Sequence, residues 1–439
     1  MDTIAACITP PGRGAVAVIR LSGPAALPIA QALCPGGPPW RPRRQGLRRL
    51  VVDGALVDEV LAVYFPGPHS YTGEDVVELS GHGNPALVDE VLAACFAAGA
   101  RLARPGEFTR RAVEHGRVDL LRAEAIDGLI AARGAAGLQL ARGAMGGALA
   151  ALAHRLREDL LDHCAELEAR LDNPGEDLGY LSDEALSAGI AAIGAEAAAA
   201  AASWVAARRA LHGAKVALRG PVNAGKSSLL NRLLGTRRAL VSPTPGTTRD
   251  VIEGRLHLGG LEISLYDTAG LRPEATGLEA EGIALSAELL AEVDLTLIVL
   301  PLHRPLDPTS ARLLAEIAGP RLLVGTHADL PVQLDLPVDV TITNPAGEGL
   351  GALQEALVTR LRAAPNPEGA AALSARQAAL LQAVAAHAAA AGEALDGMAG
   401  PAVAAEELQR ALGELVALVG QDPREEVLDR VFARFCIGK

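Results

Sequence analysis

Aromatic residues and cysteines are scarce in this sequence of 439 residues. Phe, Trp and Tyr make up only 3% of it, yet 50% of all residues are apolar, so the composition is not that of a disordered chain. The number of cysteines is odd, and none belongs to a Cys-x-x-Cys pair. This argues against a disulfide framework or a zinc site and fits a reducing compartment. The cysteines are Cys7, Cys34, Cys95, Cys164 and Cys436.

Basic residues are also in deficit, because the net charge is -12 at pH 7. A protein that binds nucleic acid by charge alone is normally basic, so any contact with RNA must depend on a local patch or on the surface of a partner. One candidate patch consists of Arg41, Arg43, Arg44, Arg48 and Arg49. A solvated loop is the alternative interpretation of this run.

The sequence also lacks the usual signals of export and membrane insertion. It begins Met1-Asp2-Thr3, without a basic stretch followed by an apolar one. It has no uninterrupted apolar run of about 18 residues. We therefore expect a cytoplasmic protein with no membrane span.

Four segments of different texture follow one another along the chain. Residues 1–116 alternate β-branched runs with Gly/Pro turns, which is typical of a compact α/β domain. Residues 117–212 carry apolar residues at helical spacing, and the Ala-rich stretch 185–210 favours a long helix. Residues 213–364 alternate strand and helix signals, which predicts a parallel, doubly wound sheet. Helical texture returns in residues 365–439, so the sequence predicts an α/β domain inserted into a split helical domain.

Short apolar runs predict individual strands within the two α/β segments. These strands are expected at 15–21, 76–79, 215–219, 263–266 and 295–300.

The strongest motif is Gly220-Pro221-Val222-Asn223-Ala224-Gly225-Lys226-Ser227, which fits the P-loop pattern between a predicted strand and a predicted helix. Its glycines let backbone N–H groups curl around phosphates, and the N-terminus of the helix adds positive potential. We expect Lys226 to reach the β- and γ-phosphates of a nucleotide and Ser227 to ligate Mg²⁺.

Two later motifs complete the pattern of a switch GTPase. Gly246-Thr247-Thr248-Arg249-Asp250 stands where a switch loop supplies a threonine to Mg²⁺, and Thr248 is the candidate. Asp267-Thr268-Ala269-Gly270 follows a predicted strand and offers a carboxylate near the metal and an N–H for the γ-phosphate. Their order after the P-loop predicts a Ras-like P-loop G domain over residues 213–364.

The motif that recognises the base departs from the GTPase pattern. Where Asn-Lys-x-Asp is usual, this chain has Thr326-His327-Ala328-Asp329 after a predicted strand. The Asp329 carboxylate can accept from guanine N1–H and N2–H, a donor pair that adenine lacks, so guanine preference should persist. The Thr326 hydroxyl can replace the lost Asn in part, and His327 can lie on the base. The last G motif is also altered and contains Thr343-Asn344-Pro345.

These motifs assign the contacts with GTP. The assigned residues are Asn223, Ala224, Gly225, Lys226, Ser227, Ser228, Ser242, Thr247, Thr248, Asp267, Thr268, Ala269, Gly270, Thr326, His327, Asp329, Thr343 and Asn344.

One group expected for hydrolysis is missing. Ras-like enzymes place a Gln directly after the Asp-x-x-Gly motif to orient water, but this chain has Leu271 there. Asn223 could instead hold a monovalent cation against the phosphates, and Glu279 could orient water through a second molecule. The alternatives are a loop-stabilising amide for Asn223 and a solvated helix charge for Glu279.

Many segments outside the nucleotide motifs resemble one family, the MnmE/TrmE GTPases. These segments span 2–5, 10–14, 19–24, 70–78, 81–83, 104–112, 119–120, 123–125 and the terminal Phe435-Cys436-Ile437-Gly438-Lys439. The resemblance covers essentially the whole chain, and the combination is specific, whereas the G motifs alone indicate only a GTPase.

The resemblance implies an N-terminal α/β folate-binding domain that forms a homodimer (1–116), a split helical domain (117–212 and 365–439) and an inserted G domain (213–364). It also implies a flavoprotein partner, MnmG (GidA), in a heterotetramer or larger complex that acts on tRNA. Together such proteins add an aminomethyl or carboxymethylaminomethyl group to C5 of wobble uridine 34. The one-carbon donor is 5-formyl- or methylene-tetrahydrofolate.

Matching positions imply the remaining site residues. Arg20, Glu78, Arg117 and Lys439 match folate contacts, with Arg117 where relatives often have Lys, and ordinary ion pairs are the alternative. Cys436 is either a nucleophile toward the one-carbon carrier or an ordinary terminal thiol.

The family's route to hydrolysis is K⁺ in place of an arginine finger. The matching ligands of K⁺ are Asn223, Ser242, Thr244 and Thr247, with Lys226 and Glu279 completing the catalytic set.

Two other functions fit the sequence less well. A ribosome-assembly or regulatory GTPase of the Era type would need an RNA-binding module after residue 365, where only helical texture is present. A folate-binding scaffold with a decayed G domain would explain Thr326 and His327 but not the intact Lys226, Ser227 and Asp267.

Overall fold

The computed structural model describes residues 2–173, 181–235, 254–267, 293–317, 319–343, 347–362, 372–397, 399–420, 425–433 and 435–438. The chain divides into two compact units, which are described separately. The first consists of residues 1–127 and 413–439, and the second consists of residues 128–412. The bounds of the four segments drawn from sequence texture stay predictions.

The first unit contains strands β1 (Ile4–Cys7), β2 (Gly14–Ser22), β3 (Gly46–Val52), β4 (Ala55–Phe65), β5 (Val76–Gly83) and β6 (Arg101–Leu102). The second contains β7 (Ala214–Arg219), β8 (Gly254–Leu258), β9 (Leu261–Asp267), β10 (Leu295–Pro301), β11 (Arg321–Thr326) and β12 (Val340–Ile342). Each of the five predicted strands lies within one of these elements.

The described helices, in chain order, are α1 (Ala26–Leu33), α2 (Pro85–Ala97), α3 (Glu107–Glu114), α4 (Leu120–Ala131), α5 (Ala135–Met145), α6 (Ala148–Asp172), α7 (Asp183–Ala202), α8 (Trp204–His212), α9 (Lys226–Gly235), α10 (Pro308–Glu316), α11 (Leu350–Arg362), α12 (Ala375–Asp396), α13 (Gly400–Val419) and α14 (Glu425–Phe432).

The sheet of the first unit has the order β3-β4-β5-β2-β1-β6 and is antiparallel except for the β1–β6 pair. Because successive side chains alternate between the faces of a strand, its two faces differ in character. One face is apolar and is buried under α1 and α2, with Ile19, Leu21 and Leu79 in its core. The other face places Arg20 opposite Glu78 across the β2–β5 pair.

The C-terminal residues pack within this same unit. Phe432 of α14 is buried in a cluster with Leu120. The Gly106 N–H donates to the Cys436 carbonyl oxygen at 3.2 Å, and Ile437 forms a bridge with Pro105. Cys436 and Ile437 of the predicted terminal motif are therefore held against the loop that precedes α3.

The second unit contains the predicted doubly wound sheet, with the order β12-β11-β10-β7-β9-β8. All its pairs are parallel except β8–β9. Every residue of β10 is buried, as expected for a central parallel strand covered on both faces.

The two helical segments on either side of this sheet in sequence pack together through α7 and α12. Their serine N-caps fix where each begins, because Ser182 accepts from Ala185 N–H and Ser374 accepts from Gln377 N–H. The single helix expected over 185–210 is interrupted at Ser203, where α7 ends and α8 begins. The described fold thus combines an N-terminal α/β part, a helical part split in sequence and an inserted Ras-like P-loop domain.

Two windows, Asp183–His212 and Ala375–Asp396, are long and apolar enough to cross a membrane by length and composition only. Helices of a protein core pass the same test. In this structure the apolar residues of α7 and α12 include buried Ile190 and Leu381, which are 0% exposed.

Candidate functional site

The nucleotide motifs that the structure describes meet at the carboxyl ends of the parallel strands in the second unit. Strand β7 ends at Arg219, the P-loop follows, and α9 begins at Lys226. In the register of the neighbouring strand, Asp267 lies opposite Leu218 of β7. Ligands of open α/β sheets bind in the crevice outside these strand ends.

The P-loop has a backbone that only certain residues can adopt. At Gly220, with φ of 152°, an added Cβ would lie 2.2 Å from the Val299 carbonyl oxygen. Asn223 and Gly225 are both left-handed, with φ of 60° and 88°. Consecutive N–H groups in such a loop form a concave site for an anion.

The Lys226 ammonium group lies across this loop. It donates to the carbonyl oxygens of Gly220 at 2.8 Å and Pro221 at 2.7 Å, and the residue is only 7% exposed. Ser227 and Ser228 are exposed in the first turn of α9. A hydroxyl at the start of this helix is available to a metal ion bound with phosphates.

The altered base motif is tied to the P-loop through its first residue. The Thr326 hydroxyl, which is buried, donates to the Ala224 carbonyl oxygen at 2.7 Å and approaches the Leu300 carbonyl oxygen at 3.3 Å. A hydroxyl has a single donor hydrogen, so Thr326 retains only acceptor capacity toward a base. The Asp329 side chain is exposed at the end of the same turn.

The last G motif is organised around Thr343. Its hydroxyl accepts from Glu348 N–H at 3.1 Å, and its own N–H donates to the Glu348 carbonyl oxygen at 3.1 Å. Gly349 closes this turn with φ of 87°, and a Cβ there would lie 2.0 Å from the Thr341 carbonyl oxygen. The structure thus gathers Asn223, Lys226, Ser227, Thr326, His327, Asp329 and Thr343 around one end of the sheet.

Several predicted site residues lie outside the described residues. They are Ser242, Thr244, Thr247, Thr248, Thr268, Ala269, Gly270, Glu279, Asn344 and Lys439. Asp267 is described only through its backbone, as the last residue of β9.

A second polar site lies in the first unit, on the open face of the sheet. Arg20 donates to Glu78 Oε1 from Nε at 2.9 Å and from Nη2 at 2.8 Å. The Arg20 guanidinium also lies 5.1 Å from the Tyr71 ring centroid and 5.5 Å from that of Phe108. Arg117 is exposed beside Gly73, where an added Cβ would meet the Arg117 Cγ at 3.4 Å.

The sequence did not single out Tyr71 and Phe108 as site residues. The chain has only five Phe and four Tyr, and two of these nine aromatic residues flank one arginine. Aromatic residues are rare in this chain, and these two lie in segments 70–78 and 104–112, which resemble the family. Together these two facts could have identified them.

An ion-pair network between β6 and α3 was also missed. Arg111, which is almost fully buried, donates to both Glu74 oxygens at 3.0 Å and to Asp2 Oδ1 at 2.7 Å. Arg101 binds Asp2 and Glu107. The hydrogen bond from Arg101 and the adjacent positive charges lower the pKa of Asp2 to about 2, against a smaller effect of burial. This network fixes the position of α3, and therefore of Phe108.

The residues of the Arg-rich run differ in their exposure. Arg48 is buried with its guanidinium 3.9 Å from the Trp40 ring centroid, while Arg41, Arg43 and Arg44 are exposed. Cys436 is also exposed.

Comparison with known proteins gives matches over nearly the whole chain. Residues 3–117 match the GTP-binding protein TrmE N-terminus, and residues 120–436 match the MnmE helical domain. The tRNA modification GTPase MnmE of Synechococcus sp. (strain CC9605) is 43% identical over 459 residues, covering 100% of this chain and 99% of the relative. That of Myxococcus xanthus (strain DK1622) is 41% identical over 444 residues, with the same shares covered.

Part of the chain is also similar to solved structures. The G domain of the T. maritima FeoB iron transporter is 30% identical, covers 34% of this chain and 98% of that chain, and has a TM-score of 0.25.

Residues 372–397, 399–420 and 425–433 after the G domain are helical wherever they form regular structure, and the helical-domain match runs to residue 436. With full-length identity above 40% to named relatives, the chain belongs to the MnmE family of tRNA modification GTPases.

Proposed function

We propose that this GTPase, together with the flavoprotein MnmG, adds an aminomethyl or carboxymethylaminomethyl group to C5 of wobble uridine 34 in tRNA. The one-carbon unit comes from a tetrahydrofolate bound by the first unit, and GTP hydrolysis in the G domain is stimulated by K⁺. We expect these reactions to take place in the cytoplasm. The observation that carries the proposal is the Arg20–Glu78 pair flanked by two of the chain's few aromatic rings.

The chemistry of this pair suits a reduced pterin. The pterin edge presents amino and ring N–H donors, and a carboxylate such as Glu78 can accept two of them in parallel. The partly exposed ring of Tyr71 offers flat apolar surface to the ring system, and the fully buried ring of Phe108 lies behind Arg20. Arg117 and Lys439 are the proposed cationic contacts, and the bound folate supplies the one-carbon unit. Cys436 stays a candidate nucleophile.

A homodimer is supported by the apolar part of the same sheet face. Leu47 of β3 and Leu61 of β4 are paired in register and are 61% and 44% exposed. Val16 of β2 adds a side chain that is 57% exposed. Exposed apolar residues grouped on one sheet face commonly mark a protein interface. Light scattering should give a dimer at micromolar concentration, and a monomer would contradict this part of the proposal.

The proposed assignment of the metal ligands is supported by two described residues and by the family pattern. The Ser227 hydroxyl is exposed at the start of α9 and suits Mg²⁺, which Thr248 would complete. Asn223 is exposed and left-handed at the mouth of the P-loop, so its amide oxygen suits a hard monovalent cation. Ser242, Thr244 and Thr247 are the proposed remaining ligands of K⁺, and Glu279 orients the attacking water.

The K⁺ assignment is tested by comparing GTP hydrolysis in KCl and NaCl at equal ionic strength. The rate should be higher in KCl, and Asn223→Ala should remove most of the difference. Asn231→Ala, in an exposed position of α9, is the matched control and should retain it. Equal rates in the two salts would exclude this role for K⁺.

The modification itself is tested in a strain that lacks the gene. Mass spectrometry of wobble uridines should show the modified base after complementation with the unchanged chain and its absence with Glu78→Gln. Purified Glu78→Gln should hydrolyse GTP at the normal rate, because its site is in the other unit. Glu114→Gln, at the C-terminal end of α3, controls for loss of a carboxylate. Unaltered modification in the Glu78→Gln strain would contradict the folate assignment.

A further inference from the structure

A second histidine lies against the histidine of the base motif. His303 follows β10, and its ring centroid is 4.6 Å from that of His327, with the ring planes at 63°. This is an edge-to-face contact of two aromatic rings, a geometry that aromatic pairs favour. The two residues are brought together because β10 and β11 are parallel neighbours, with Pro301 opposite Thr326.

His303 is also an exception in its hydrogen bonding. Its Nδ1 is buried and has no hydrogen-bond partner among the described residues. Buried polar atoms are nearly always paired, so an unpaired ring nitrogen beside a ligand-binding motif needs an explanation. The free-energy cost of this unpaired nitrogen is explained if His303 contributes to nucleotide binding.

The His327 ring is held from a second direction by Thr326. Its Nδ1 lies 3.1 Å from the Thr326 hydroxyl oxygen, and Thr326 is itself bound to the P-loop carbonyl of Ala224. The backbone of His327 is left-handed, with φ of 58°, a strained state for a residue with a Cβ. Strain of this kind persists where surrounding contacts determine the conformation, and such positions cluster at ligand sites.

We propose that His327 is the surface on which the guanine ring stacks and that His303 is the positioning residue that holds it there. The inference rests on GTP binding by the G domain and deepens it. A flat ring replaces the lysine stem usual at this position, and the Asp329 carboxylate alone supplies selectivity for the guanine 2-amino group. Thr326 cannot donate to the base because its hydrogen is engaged by Ala224.

The contact requires a neutral His303 ring, because Nδ1 of this ring is buried and has no hydrogen-bond partner among the described residues. The groups around His303 are His327, Arg304 and Asp329. Burial, His327 and Arg304 disfavour its protonation, and Asp329 favours it, so that the pKa of His303 lies below its ordinary value. Protonation of His303 in acid would place a buried charge near Arg304 and a buried N–H without an acceptor among the described residues, and both disfavour the packed position of the ring. Nucleotide affinity should therefore fall as the pH drops through the lowered pKa.

The test is fluorescence titration of the full chain with GDP and with inosine diphosphate, which lacks the 2-amino group, from pH 8 to pH 5. His327→Ala should weaken both nucleotides by roughly tenfold, as expected for loss of one aromatic ring under a base. The ratio of their affinities should not change, because Asp329 sets it. Asp329→Ala should instead remove the preference for GDP. His154→Ala, an exposed histidine of α6, is the control and should leave all values unchanged.

Two substitutions at His303 separate positioning from folding. His303→Ala should weaken GDP binding at all pH values, whereas His303→Phe keeps an aromatic edge and should bind like the unchanged chain at pH 8. In acid, His303→Phe should lose less affinity for GDP than the unchanged chain. The two affinities are compared as a ratio at each pH, because titration of the GDP phosphates affects both equally and cancels. If both variants match the unchanged chain at every pH, the inference is overturned. Absence of GDP binding by the unchanged chain would instead contradict GTP binding itself.

Discussion

The hydrogen bond between Thr326 and the P-loop gives a prediction whose size follows from the structure. Thr326→Val keeps the shape of the side chain and removes its hydroxyl. Thr326 is 1% exposed and Ala224 is 0% exposed, so no water replaces the lost donor at the Ala224 carbonyl. Leaving a buried acceptor without a partner costs about 1–3 kcal/mol, and no cavity is created because Val and Thr have similar volumes.

This cost should appear mainly in nucleotide affinity. The hydroxyl joins the base motif to the loop that surrounds the phosphates, so its loss loosens two parts of one binding site. At about 1.4 kcal/mol per tenfold change, GDP affinity should fall by between about fivefold and about 150-fold. Fluorescence titration measures the affinity for GDP. Urea unfolding measures how much the substitution also lowers the free energy of unfolding.

Matched substitutions make the measurement specific. Thr341→Val makes the same chemical change at an exposed position of β12 and should alter neither quantity. Thr326→Ser keeps the hydroxyl and should bind GDP within a few-fold of the unchanged chain. If Thr326→Val binds GDP as tightly as the unchanged chain and unfolds at the same urea concentration, the hydrogen bond has no role in the site.

Three further predictions concern other parts of the chain. Asp294, whose side chain is 1% exposed, accepts from Arg209 at 3.0 Å, so Asp294→Ala should lower the free energy of unfolding by about 3 kcal/mol, measured in urea. Gly220→Ala would drive a Cβ to 2.2 Å from the Val299 carbonyl oxygen, so titration should detect no GDP binding while circular dichroism shows a folded chain. The pKa of Asp2 is lowered to about 2, so its ion pairs stabilise the fold above its ordinary pKa and this contribution is lost as pH falls toward 2. Asp2→Asn should therefore flatten the acid limb of the urea midpoint plotted against pH, and an unchanged limb would contradict the assignment.

The strands and the P-loop were predictable because their signals are local. The run 295–300 is continuous and apolar, and it forms a central strand of the sheet. The P-loop motif requires its backbone to turn at fixed positions, and Gly220 and Gly225 occupy positive φ where the pattern has glycine. In both cases a few consecutive residues contain the whole physical reason for the structure.

Other features depend on contacts between distant parts of the chain. No glycine or proline at Ser203 predicts the break between α7 and α8, and the Ala-rich sequence favours helix on both sides. The order of strands in the G domain, which places β7 between β9 and β10, is not contained in any local pattern. The contact of His303 with His327 follows from that order, and so it could not be inferred from either histidine alone.

The altered base motif is better explained as a redistribution of roles than as decay of the G domain. An asparagine at the first position has an acceptor and two donor hydrogens, so it can contact its own protein and a base at once. Thr326 has a single donor hydrogen, and the structure shows it bound to Ala224. A decayed site has no reason to keep a buried bond between two motifs or the left-handed backbone at His327. The remaining demands of guanine binding then fall on groups that are still present. Asp329 has an exposed carboxylate for the donor pair, and the His303–His327 contact provides an aromatic surface at the position where the flexible lysine stem is missing.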